Sequence, residues 1–260
     1  MNPTQIAQTF LKTAGFYTGQ VDGQWGPLSE HAAAAWQASL VPAPALVLSV
    51  GSVGSVGSDP SVPSAPGSLV IGADGWLVGV RRKPLPASGR TLSPIGLIMH
   101  ATCGDTVDSS IDGEPSGVGA HFYVERDGGI TQACSCLMQI GHAGFSTWKD
   151  PVTGDQLHNL NSYTLGIEIA NAEDEALAWA RKQPGFTSIQ ARHPNGGPVQ
   201  EWECYPAAQI AAVIALTQAI IVRFPLHFIA GHEQIAPDRR NDPGPAFPWE
   251  EFRKAVNFFA

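Results

Sequence analysis

Thirteen of the eighteen residues from 51 to 68, GSVGSVGSDPSVPSAPGS, are Gly, Ser or Pro, and such a run lacks the side chains from which a core is built. This segment rules out one continuous fold, because the chain on either side of it must find its own core. The expected organisation is a small unit over 1–45, a linker over 46–70 and a larger unit over 71–260. With apolar residues at 43% and charged residues at 15%, disorder along the whole chain is excluded.

The small unit reads as all-α. Asn2-Pro3 starts a helix with Ile6, Phe10, Leu11 and Ala14 on one face, and Gly15 ends it. Asp22-Gly23 marks a turn, and Ser29 caps a second helix in which Ala32, Ala33, Trp36 and Leu40 share a side. A core of about 40 residues is marginal by itself, so the unit is expected to exist to hold a ligand.

The larger unit alternates strand and helix signals, giving an α/β fold in which a mixed central β-sheet is flanked by helices. Strands are expected at GLIMH (96–100), at HFYVER and GITQA around Asp127-Gly128, at LGIEIA (165–170) and at HFIAGH (227–232). Helices are expected from Pro206 to about Phe224 and over PWEEFRKAVNFF. Residues 171–205 are too long for a plain connection and read as a lid or groove wall, with Trp179, Trp202 and Tyr205 either stacking on a ligand or pinning the segment.

Charge and hydropathy narrow the partners. Fifteen Lys and Arg against 23 Asp and Glu give a net charge of −8, which repels phosphates, so no nucleic-acid partner is expected. The longest apolar run, Ile210 to Val222, contains Thr217 and Gln218 and falls short of the ~20 residues that span a bilayer, so no membrane insertion is expected. MNPTQIAQTF has neither the basic nor the apolar region of a signal peptide, which implies a protein that stays in the cytoplasm until something releases it. Cys103, Cys134, Cys136 and Cys204 lack the spacing of a redox or zinc pair and are expected to be reduced thiols, and the chain to be a monomer.

Two histidines stand at strand ends, His100 in GLIMH and His232 in HFIAGH, and Asp242 follows ten residues after His232 in a Pro/Gly-rich loop. Two histidines, one carboxylate and an open fourth position are what a catalytic zinc site requires. In LGIEIA the apolar Leu165, Ile167 and Ile169 face one way and leave Glu168 on the other. A carboxylate there is either a general base or a charge that guards a strand edge.

GLIMHATCG, VGAHFYVERDGGITQ, GHAGFSTW, NSYTLGIEIAN and AGHEQIAPDRRNDPGPAFPW resemble, in order and rough spacing, the motifs of the zinc-dependent N-acetylmuramoyl-L-alanine amidases. That family includes phage endolysins, recycling amidases and peptidoglycan recognition proteins. The resemblance covers about residues 92–256 and implies Zn2+ held by His100, His232 and Asp242, with Glu168 orienting or deprotonating the attacking water. It implies substrate binding by His121, His142, Ala143 and Trp148, with His121 and His142 alternatively supporting the site from behind its ligands or simply buried. Where many members carry Lys two residues before the aspartate, this chain has Arg240, which stabilises an oxyanion but does not hand over a proton. LKTAGFYTGQVDGQWGPLSEHAAAAWQ in turn resembles the short peptidoglycan-binding repeat. Together the two resemblances imply a modular endolysin that cuts between N-acetylmuramic acid and the L-alanine of the stem peptide. Bacterial peptidoglycan is then the partner, and the enzyme waits in the host cytoplasm for holin-dependent release. The alternatives are a cytoplasmic muropeptide-recycling amidase and a recognition protein without activity.

Overall fold

The computed structural model describes residues 8, 12, 17–24, 69–173 and 176–258, in two units, Met1–Ser68 and Leu69–Ala260. In the first unit Gln8 and Lys12 are helical, and the expected turn is present, with Gly23 at φ +76°. The Gln8 side-chain amide donates to Tyr17 Oη at 3.1 Å, to Asp22 Oδ1 at 2.9 Å and to the Gln24 carbonyl at 3.0 Å, so one buried residue organises the loop 17–24. The helix start at Asn2-Pro3, the helix capped by Ser29 and the 51–68 linker lie outside the described residues.

The second unit runs β1 (Arg81–Arg82), β2 (Gly96–Ala101), α1 (Val107–Gly113), β3 (Phe122–Val124), β4 (Ile130–Gln132), β5 (Thr147–Lys149) and β6 (Gln156–His158). After a 3-10 turn at Leu160–Ser162 come β7 (Thr164–Ile169), α2 (Leu177–Ala180), β8 (Ser188–His193), β9 (Gly196–Glu203) and α3 (Ala207–Arg223). The chain closes with β10 (Phe228–Gly231), α4 (His232–Ile235) and α5 (Trp249–Val256). Six strands form one sheet in the order β1-β4-β3-β7-β2-β10, parallel except for the antiparallel β3–β4 pair, which makes it the mixed sheet expected. β5–β6 and β8–β9 are separate two-stranded sheets.

The period-2 pattern of the central strands decides where everything else goes. Leu97 and Met99 of β2, with Leu165, Ile167 and Ile169 of β7, share one buried cluster with Val213, Leu216 and Ile220 of α3 and Phe252 and Val256 of α5. Side chains of this kind contribute about 1.5–3 kcal/mol each when fully buried. Gln209 fastens α3 to the strand ends, its amide donating to the Val124 carbonyl at 3.2 Å and the Ala170 carbonyl at 2.8 Å. Asn257 ends α5 in the left-handed region at φ 51°, where its short amide side chain tolerates the conformation better than a branched one.

The alternate residues face the other way. Ile98 packs with Leu157, Leu160, Phe228 and Ile235, and Tyr123 of β3 packs with Val107 and Ile111 of α1. At Gly96 a Cβ would sit 2.4 Å from the Phe228 ring, so β2 and β10 approach this closely only because the position is glycine. Helices therefore cover both faces, α3 and α5 on one, α1 and α4 with loops on the other. No helix among the described residues is long and apolar enough to cross a membrane.

Two differences from the sequence reading have physical reasons. HFIAGH is strand only to Gly231, and His232 opens a helical turn, because the Gln234 side chain accepts from the Gly231 N–H at 2.8 Å and starts a helix there. Residues 171–205 contain a hairpin, β8–β9, most of whose residues are exposed, apolar Ile189 and Val199 among them, so it shows little of the contrast between buried apolar and exposed polar positions by which strands are recognised.

Candidate metal centre

Parallel pairing puts β2 between β7 and β10, and in register His100 lies opposite Glu168. On the site face of β2, His100 follows Ile98; on the site face of β7 stand Thr164, Gly166 and Glu168. His232 arrives directly after β10, and the loop beyond α4 brings back Asp242. The three donor atoms meet: His100 Nδ1 and His232 Nδ1 are 2.9 Å apart, and Asp242 Oδ2 is 3.2 Å from the first and 3.1 Å from the second. All three residues are buried.

The donor set fits a tetrahedral cation. Ligands at about 2.0–2.1 Å from zinc lie about 3.3 Å from one another, close to the separations here. Two imidazole lone pairs and a carboxylate aimed at one buried point repel unless a positive charge sits between them. Burial pushes the His100 imidazole down to about 4, against the opposing hydrogen bond from Asp242, which favours the neutral ring a metal needs. Burial alone would raise the Asp242 carboxyl, but hydrogen bonds with His100 and His232 outweigh it and hold Asp242 well below the usual carboxylate range.

Glu168 Oε1 lies 4.0 Å from His100 Nδ1, and its Oε2 is buried with no hydrogen-bond partner among the described residues. An unsatisfied buried carboxylate oxygen beside three convergent donors is where a water or a substrate proton belongs. Burial, then the Asp242 and Glu114 carboxylates, raise the Glu168 carboxyl well above its usual range, while Arg240 draws it back. Arg240 is exposed, and its guanidinium makes no hydrogen bond or ion pair among the described residues.

Of the four residues expected to touch substrate, His142 and His121 are enclosed beside the centre, their rings 5.7 Å apart. His142 Nδ1 is 3.0 Å from His100 Nε2, and His142 Nε2 is 3.2 Å from the Thr164 carbonyl. With the His100 Nδ1 lone pair given to a cation, Nε2 carries the hydrogen and donates it to His142, whose own Nε2–H goes to Thr164. Both nitrogens of His142 are thereby used inside the protein. The ring has room only because Gly166 lies beneath it, where a Cβ would come within 2.7 Å of His142 Nδ1. His121 is fully buried, accepting from the Gly166 N–H at 3.1 Å and reaching the Met138 carbonyl at 3.0 Å. Ala143 is buried, its N–H on Asn161 Oδ1 at 2.7 Å and its carbonyl on Arg239 Nη2 at 2.6 Å. Trp148 stacks on Phe228 at 5.6 Å with its indole nitrogen buried. His121, His142 and Ala143 are enclosed with their polar atoms spent on neighbours, whereas Trp148 is half-buried and its indole nitrogen has no hydrogen-bond partner among the described residues.

An open cleft of about 780 Å³ is lined by Gly144, Phe145, Thr147, Asn161, Ala236 and Arg239, among others, and by none of His100, Glu168, His232 or Asp242. Phe145, 95% exposed, stands at its edge. Arg239 was missed beside Arg240, yet it ties the Ala143 and Phe145 carbonyls to the loop that carries Asp242. The strand pattern Thr164-x-Gly166-x-Glu168 held a further signal, since glycine inside a buried strand marks a close approach.

The mixed sheet brings two histidines, an aspartate and a further carboxylate to one buried point, a donor set able to hold a metal ion beside a proton acceptor. Residues 90–245 match the family described as N-acetylmuramoyl-L-alanine amidase, and the chain belongs to that family. It is 28% identical over 208 residues to the 1,6-anhydro-N-acetylmuramyl-L-alanine amidase AmpD of Escherichia coli K12, covering 70% of this chain and 95% of that one. It is 27% identical over 191 residues to the N-acetylmuramoyl-L-alanine amidase AmiD of the same organism, covering 70% of this chain and 59% of that one. A solved complex of E. coli AmiD with anhydro-N-acetylmuramic acid-L-Ala-D-gamma-Glu-L-Lys aligns at TM-score 0.47 and 27% identity over 72% of this chain and 65% of that one. The chain is an enzyme, a peptidoglycan amidase acting between N-acetylmuramic acid and L-alanine, and the alternative of a recognition protein without activity falls.

Proposed function

We propose that the chain is a wall-lytic amidase of the endolysin type, with zinc held by His100, His232 and Asp242. The convergence of those three donors with the unpartnered Glu168 oxygen beside them supports the zinc chemistry, and the Gly/Ser/Pro run that joins a segment resembling a peptidoglycan-binding repeat to the catalytic unit supports the wall-lytic role. Zinc, when bound, polarises the scissile carbonyl and lowers the pKa of a water. Glu168, held in register beside His100, takes the proton of the attacking water and returns it to the leaving L-alanine nitrogen. Arg240, with its guanidinium free of other partners, steadies the developing oxyanion. His142, through Thr164, fixes the His100 ring in the tautomer that presents Nδ1. The cleft beside Gly144 and Phe145 receives the muropeptide. Residues 1–45 bind the wall, and the Gly/Ser/Pro run tethers them to the catalytic unit, whose activity reaches the wall after holin-dependent release.

The similarity to E. coli AmpD, over 95% of that protein, favours a second reading, a recycling amidase acting on anhydromuropeptides. Purified protein incubated with sacculi and, separately, with soluble anhydromuropeptide distinguishes the two. The endolysin reading expects new L-alanine amino groups from sacculi without new reducing sugar ends. It also expects deletion of residues 1–68 to lower that rate while sparing the soluble substrate. Turnover of soluble anhydromuropeptide alone, unchanged by the deletion, establishes the recycling reading.

A further inference from the structure

The loop that carries Asp242 has no regular secondary structure, yet four consecutive residues in it are fastened through their backbone. The Asn241 carbonyl is 3.1 Å from His193 Nε2, the Asp242 carbonyl accepts from the Glu233 N–H at 2.9 Å, the Pro243 carbonyl accepts from Tyr205 Oη at 2.6 Å, and the Gly244 N–H donates to Glu233 Oε2 at 2.8 Å. Glu233 follows His232 directly, so a single side chain joins the neighbourhoods of two of the three donors. Two of the four anchors, His193 and Tyr205, come from the β8–β9 hairpin and the residues just after it, outside the six-stranded sheet.

His193 is the hinge of this arrangement. It is buried at the end of β8, where the Asn195 N–H donates to its Nδ1 at 3.1 Å. That bond leaves Nε2 carrying the hydrogen, pointed at the Asn241 carbonyl and 3.6 Å from Glu233 Oε2. The ring packs on Trp202 at 5.7 Å, and Trp202 in turn lies against Gly244, where a Cβ would come within 2.8 Å of the indole. Asn195 Nδ2 closes the ring of contacts on the Glu233 carbonyl at 2.9 Å.

We propose that His193 is a positioning residue, through which the β8–β9 hairpin clamps the Asp242 loop and sets the zinc affinity of the site. The proposal rests on the reading of His100, His232 and Asp242 as ligands. A ligand on an irregular loop costs ordering entropy at the moment of binding unless the loop is already held, and groups that hold ligands in place are worth about 10–100-fold in metal affinity.

The test is zinc affinity of the full chain by chelator competition, together with the visible spectrum of the cobalt-substituted protein. His193→Ala is expected to weaken zinc about tenfold and to alter the cobalt bands, while turnover at saturating zinc stays near that of the unsubstituted chain. His193→Gln, whose amide keeps a donor for the Asn241 carbonyl, should recover most of the affinity. Val199→Ala, on the exposed part of the same hairpin, should leave it unchanged. Should His193→Ala fail to fold, Asn195→Ala, at an exposed position, should still weaken zinc measurably. Unchanged affinity and spectrum in His193→Ala, or unchanged affinity in Asn195→Ala where that variant decides, overturns the clamp alone. Absence of His100-dependent zinc binding in the unsubstituted chain overturns the ligand reading and the clamp with it.

Discussion

The two faces of the central sheet are made from alternate residues of the same strands, and they are held by different means. On one, Leu97, Met99, Leu165 and Ile167 meet α3 and α5, and the fit depends on volume and hydrophobic transfer. On the other, beside the apolar clusters around Ile98 and Tyr123, His100 and Gly166 meet the His142 and His121 rings, and there the fit depends on polar atoms finding particular partners. An apolar face tolerates a swap of shape at modest expense, whereas a polar face fails when one link is removed. Stability and chemistry can thus be partly separated in this fold: substitutions on the helix side should move melting and leave the metal alone, and substitutions among the polar groups around His100 should move metal affinity more than melting.

The sharpest break comes from removing a donor. His100→Ala takes away one of three converging atoms and the start of the His142–Thr164 chain, so zinc affinity should fall by more than about 100-fold and turnover should vanish. Metal content after dialysis checks this, and stoichiometric zinc with full activity would refute His100 as a ligand. Glu168→Gln should keep zinc and the fold but lower kcat by about 10²–10⁴, the range for a positioned proton-transfer group. A rate within a few-fold of the unsubstituted enzyme would leave Glu168 as a strand charge with no part in the chemistry.

From the helix side, Leu216→Ala should lower unfolding stability by about 2–5 kcal/mol, since Leu216 is fully enclosed between α3 and the sheet. Zinc affinity measured on the folded fraction should stay within about twofold, because the site lies on the opposite face. Denaturant melts paired with chelator titrations test both halves, and a parallel loss of zinc affinity would show that the two faces are coupled.

The same contrast explains what the sequence could and could not disclose. The helix face announces itself by period: α3 falls within a residue of its expected ends, and Leu165, Ile167 and Ile169 were legible as one side of a strand. His100 and Glu168 were legible too, as the polar residues of otherwise apolar strands. The support behind them was not. His142 reaches His100 across 42 residues of chain, and nothing local to GHAG distinguishes a ring that touches substrate from one that holds a ligand. The β8–β9 hairpin was hidden because most of its residues are exposed and β9 opens on Gly196-Gly197-Pro198, which reads as a turn, and Glu233 because its partners, His193 and Gly244, lie forty residues before it and eleven after.

Gly166→Ala probes the boundary between the two faces with the smallest change that the strand permits. Its neighbours Leu165 and Ile167 stay on the helix side, and its φ needs no glycine, so the backbone itself accepts alanine. The added methyl would meet His142 at 2.7 Å from Nδ1 and 2.8 Å from Cγ, and that ring cannot retreat without giving up His100 or Thr164. Overpacking of this kind typically costs about 1–3 kcal/mol, and here the strain falls on the group that orients a donor rather than on the core. The variant should therefore lose a modest part of its stability and about tenfold in zinc affinity, the lower end of what a supporting residue contributes. Zinc titration against a chelator, with a melt on the metal-free protein, separates the two losses. Lowered stability with unchanged zinc affinity would mean that His142 fills space behind His100 without orienting it.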